Sequence, residues 1–118
     1  MFKNKKQAAY KLADELRKDR VGERPITIIS LSEKENIIAA YLKEEFSNSP
    51  KQENPEIIII ADEGSISLSK LRGKINQLRQ ENIKKILIAM PVYEHQKARE
   101  LEKFADGVYI LEQPKVFM

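Results

Sequence analysis

Residues 57–71 read IIIIADEGSISLSKL, and they hold most of the side chains in this sequence that can do chemistry. An apolar run ends in Asp62 and Glu63, passes through Gly64, and enters a stretch with Ser65, Ser67 and Ser69 at alternate positions. Glycine allows a tight turn and close backbone approach, and the three hydroxyls can donate to an anion. The first amides of a helix lack an intrahelical acceptor, so a helix starting here offers N–H groups to a phosphate. Two carboxylates at the strand end can accept from vicinal sugar hydroxyls or hold a magnesium-bound ligand. The same residues also make a plain strand-to-helix turn, capped and dipole-matched with nothing bound.

Elsewhere the chemistry is sparse. His95 is the sole histidine and follows Pro91-Val92-Tyr93-Glu94 at a helix start, with no nucleophile or metal-ligand pattern beside it. Tyr93 is a lone phenol, so no catalytic residue is assigned. Without cysteine there is neither a disulfide framework nor a thiolate metal site.

Two hydrophobic periods alternate along the chain and set the frame for the acidic turn. Residues 4–18 place Ala9, Leu12, Ala13 and Leu16 on one helical stripe, and Val21 to Pro25 breaks it. ITIISL (26–31) has the composition of a buried strand. Ser32 with Glu35 forms a capping box for a helix with Ile37, Ile38, Tyr41, Leu42 and Phe46 on its apolar side. After a polar turn, IIIIA (57–61) is apolar at successive positions, as in a strand covered on both faces. Leu68, Leu71, Ile75 and Leu78 then mark a helix, with Gly73 inside it read as close packing on the sheet. ILIAM (86–90) is a strand stopped by Pro91, residues 94–105 a fourth helix, and VYIL (108–111) a last strand. Phe2, Phe46, Phe104 and Phe117 read as core anchors.

This alternation specifies an α/β fold: one domain over residues 1–118, with a mainly parallel four-stranded sheet and flanking helices. If the strands lie in sequence order, right-handed crossovers put the last three helices on one face and leave only the N-terminal helix for the other. That thin cover predicts a partner subunit, most simply a second copy of the chain.

Composition narrows the function. With 42% hydrophobic and 33% charged residues, the chain is globular, and no apolar run approaches the ~18 residues that cross a membrane. The start is basic but has no apolar stretch of signal-peptide length, so the expected location is cytoplasmic. The net charge of +3 comes from Lys3, Lys5, Lys6 and Lys11 near the start, a solvated helix face rather than a nucleic acid surface.

At the level of motifs, IIIIADEGSISLSKL resembles the signature of type I phosphoribosyltransferases, in which an apolar strand meets two acidic residues, glycine and a hydroxyl-rich turn. ILIAMPV (86–92) is similar to that family's next strand, FADGVYILEQPKVF (104–117) to its last, and Phe2 to Leu16 to its opening helix. The resemblance implies a phosphoribosyltransferase-like fold in which Asp62 and Glu63 take ribose hydroxyls. Gly64, Ser65, Ser67 and Ser69 would surround the 5-phosphate of phosphoribosyl pyrophosphate, with magnesium on the pyrophosphate. The sequence also departs from the family. Leu68 stands where a glycine admits the phosphate, Lys70 replaces a hydroxyl, and Glu33 and Glu35 would repel a pyrophosphate. The segment from Ser47 to Glu56 is too short for the extra strand and mobile lid of an active enzyme. The implied function is a degenerate domain that binds a phosphorylated sugar or nucleotide. The alternatives are a ligand-free interaction or regulatory subunit, and an active transferase whose lid comes from another chain.

Overall fold

The computed structural model describes residues 4–31, 36–50 and 56–115. Helix α1 (Lys5–Lys18) starts at Asn4, whose side chain accepts the Gln7 N–H at 2.8 Å, and it buries Ala8, Ala9, Leu12, Ala13 and Leu16. A 3-10 turn (Val21–Glu23) leads to β1 (Ile26–Ile29), followed by α2 (Ile37–Glu45) and β2 (Ile57–Ala61). Then come α3 (Leu68–Gln80), β3 (Lys85–Val92), α4 (His95–Leu101) and β4 (Gly107–Glu112). The four strands form one parallel sheet in the order β1-β2-β3-β4, as the alternating pattern predicts.

The pleat sorts the apolar run of β2. Ile57, Ile59 and Ala61 join Ile28, Leu87 and Ala89 on one face, and Ile58 and Ile60 join Ile86, Ile88 and Met90 on the other. Every residue of β2 is buried, so the unbroken isoleucine run is explained by cover on both sides.

The distribution of helices differs from the expectation. Leu12 and Leu16 of α1 share the first core with Ile38, Ala39 and Leu42 of α2, and the second core is closed by α3 and α4. Each face therefore carries two helices, not one and three. In a parallel sheet ordered this way, crossovers of one hand put every connecting helix on the same face. The β1–α2–β2 connection therefore has the opposite hand from the two that follow it, against the usual rule. The fully buried Ala8, Ala9 and Ala13 give α1 a low surface on which α2 can lie closely.

Smaller differences have local causes. Strand β3 continues through Pro91 because β2 ends at Ala61, opposite Ala89. The Asp62 N–H donates to the Ala89 carbonyl, so the next position facing that way, Pro91, meets no strand and needs no donor. Helix α2 is capped by Asn36, while Ser32 and Glu35 lie outside the described residues, as do Phe2 and Phe117. Helix α4 stops at Leu101; after it Lys103 and Phe104 donate to carbonyls three residues back, and the chain turns toward Asp106. That carboxylate accepts the Ile86 N–H at 2.7 Å and pairs with Arg79 at 2.8 Å. Gly73 is exposed, and a Cβ there would meet nothing within 4 Å, so it does not mark close packing. No helix among the described residues is long and apolar enough to cross a membrane.

Candidate functional site

At the carboxyl ends of β1 and β2 the chain leaves for opposite faces, α2 to one and α3 to the other. In parallel sheets, the region between segments that diverge in this way is a common position for ligands. Both buried polar side chains among the described residues, Asn36 and Asp62, lie beside it. Asn36 is used on both sides of its amide. Its Oδ1 accepts the Ala39 N–H at 3.0 Å, and its Nδ2 donates to the Ala61 carbonyl at 2.7 Å and to Ser30 Oγ at 3.0 Å. One side chain thus caps α2 and ties it to the ends of both strands.

Asp62 is only 3% exposed and is turned into its own loop. Its Oδ2 accepts the Gly64 N–H at 2.9 Å and the Ile66 N–H at 3.3 Å. Two of the amides that an anion at this turn would use are therefore taken by a carboxylate. Gly64 has φ +116°, and a Cβ there would lie 2.2 Å from the Val92 carbonyl oxygen. Glycine is required because the loop presses on the end of β3, a contact within the chain. Beside it the Tyr93 hydroxyl donates to the Ile66 carbonyl at 2.9 Å. Burial, then the negative charges of Asp62 and Glu94, push the Tyr93 phenol above its ordinary range.

The other predicted residues divide between the helix and the surface. Ser67 is the N-cap of α3, its Oγ accepting the Lys70 N–H at 3.2 Å. Leu68 is half-buried against the α3–α4 core. Ser65 and Ser69 are exposed, and Glu63 pairs with Lys5 of α1 at 2.9 Å. Asp62, Gly64 and Ser67 are therefore brought together as parts of one turn, while Glu63, Ser65 and Ser69 line its outside. No protein-family model, curated protein or solved structure matches this chain.

Chemically, the turn is well supplied with internal partners. Among the described residues, no buried side-chain nitrogen or oxygen lacks a hydrogen bond, and no three acidic or histidine side chains converge as a metal site. Asp62 faces its own amides, and Glu63 pairs with Lys5 at the surface of the turn. A hollow of about 630 Å³ lies at the opposite, amino end of the strands, where Arg24, Lys84 and Lys85 alternate with Glu56 and Asp106. The sequence reading missed Asn36, although an asparagine directly before Ile37 and Ile38 is itself a helix-start signal. It also missed the role of Tyr93, which comes from a distant element and leaves no local pattern.

Proposed function

We propose that this chain is a non-catalytic interaction or regulatory domain of phosphoribosyltransferase-like design, working in the cytoplasm, whose acidic turn serves architecture. The observation that carries this reading is the Asp62 carboxylate holding the Gly64 and Ile66 amides from a buried position. A ligand phosphate would have to displace that internal acceptor and then sit beside Asp62 and Glu94. Titration calorimetry of the intact chain with phosphoribosyl pyrophosphate and magnesium should give no saturable heat at millimolar ligand. Saturable heat that disappears in Glu63→Gln would overturn the proposal.

A second reading, favoured by the departure of α2 and α3 to opposite faces, keeps a phosphorylated sugar or nucleotide in the region between them. Glu63, Ser65 and Ser69 would meet the ligand from outside, and Asp62, Gly64 and Ser67 would shape the turn beneath it. Magnesium would then enter with a pyrophosphate ligand. Pyrophosphate release in the presence of nucleobases would go further and mark an active transferase completed by another chain.

A further inference from the structure

We infer that the hollow at the amino ends of the strands is a docking face for an extended, acidic segment of a partner protein. The inference rests on the reading of the chain as an interaction domain and gives that domain a face. Register puts Ile26, Ile57 and Lys85 side by side at the entries of β1, β2 and β3, about 10 Å from first to last. Arg24, Glu56 and Lys84 stand just ahead of them and line the rim. Both acids of the hollow are already answered within the chain. Glu56 faces Arg24 at 3.7 Å, and Asp106 takes Arg79 at 2.8 Å together with the Ile86 N–H. Lys84 and Lys85 are exposed and have no acidic partner among the described residues. The hollow therefore carries two positive charges in excess, adjacent at the entry of an interior strand. Like charges so close repel, and an anion placed against both relieves the repulsion.

The form of the hollow selects the anion. Of its lining residues only Ile57 is buried, so a small ligand would stay largely wet, whereas small-molecule pockets usually cover most of their ligand. A compact phosphate is served poorly as well. The helix at this rim is the end of α3, with Asn82 just past it, and a carboxyl end is the negative pole of a helix. Ile57 and Asn82 spend their N–H groups on the Pro25 and Arg79 carbonyls. Carboxylates spread along an extended segment, about 7 Å apart at alternate positions, suit point charges spread over three strand entries. A segment that belongs to a larger protein also covers the exposed rim, as a free small molecule does not.

The test is a titration of the isotope-labelled intact chain, at low salt, with a synthetic peptide of alternating glutamate and serine, followed by amide chemical shifts. Saturable shifts should gather on Arg24, Glu56, Ile57, Asn82, Lys84 and Lys85 and fade as salt is raised. Lys84→Glu/Lys85→Glu should weaken the peptide about tenfold or more, because two attractions become repulsions. Lys84→Gln/Lys85→Gln should weaken it less. Lys43→Glu/Lys70→Glu makes the same change in net charge at exposed positions outside the hollow and should leave binding almost unchanged. The absence of saturable shifts, shifts that gather elsewhere, or equal loss in both glutamate variants would overturn the inference. Free glutarate matching the peptide's affinity would overturn it too, by making the hollow a small-carboxylate site. Calorimetry with phosphoribosyl pyrophosphate and Glu63→Gln reads the acidic turn at the other end of the sheet, so the two readings fail separately.

Discussion

Gly64 and Gly73 are indistinguishable as letters, yet the fold treats them oppositely. Gly64 holds a positive φ against the Val92 carbonyl, and Gly73 sits exposed in a helix with open space around it. Gly64→Ala should therefore cost about 3 kcal/mol or more, and Gly73→Ala should stabilise by roughly 0.5–1 kcal/mol. Urea unfolding midpoints moving in opposite directions would check the pair. The sequence showed that a glycine was needed after Asp62 and Glu63, because the turn there is sharp. It did not show what approaches the glycine, since Val92 is distant in sequence and nothing local marks the contact. The carboxylate of Asp62 is similar: its position was legible, but its inward direction depends on the amides of Gly64 and Ile66 once the turn has formed.

Among the elements, strands and helices were legible wherever one period ran undisturbed. The isoleucines of β2 announced cover on both faces, and the 3.6-residue spacing of α3 announced its buried stripe. The side on which α2 lies was not legible, because its apolar stripe fits either face and a single crossover hand throughout would have put it with α3 and α4. What holds α2 in place includes the alanine surface of α1 and the Asn36 side chain, which joins cap and strand ends. Replacing Asn36 by Ala removes a cap and leaves the Ala61 carbonyl short of a buried partner. A loss of about 2 kcal/mol is expected, read as a lower urea midpoint at constant slope.

For the whole molecule, two tyrosines brace the sheet from opposite faces. Tyr93 holds the turn before α3, and the Tyr109 hydroxyl donates to the Asp19 carboxylate at the end of α1. Burial first, then the hydrogen bond to Asp19 and the charges of Asp19 and Glu15, raise the Tyr109 phenol well above its ordinary range, and Tyr93 moves the same way. A pKa raised by folding means that the folded state holds the proton more tightly. The contribution is complete below the unfolded value of about 10 and is lost as pH climbs beyond it. Melting temperatures should therefore fall from about pH 10 upward, and Tyr109→Phe should flatten that decline. The packing of α1 has a consequence for the growing polypeptide. Its apolar stripe shares a core with Leu87, Ala89, Tyr109 and Leu111, residues of the last two strands. During synthesis α1 can meet α2 early, but the part of its seat made by β3 and β4 is built only when those strands emerge. The cover over β3 and β4 then closes late, when α1 settles onto strands made well after it.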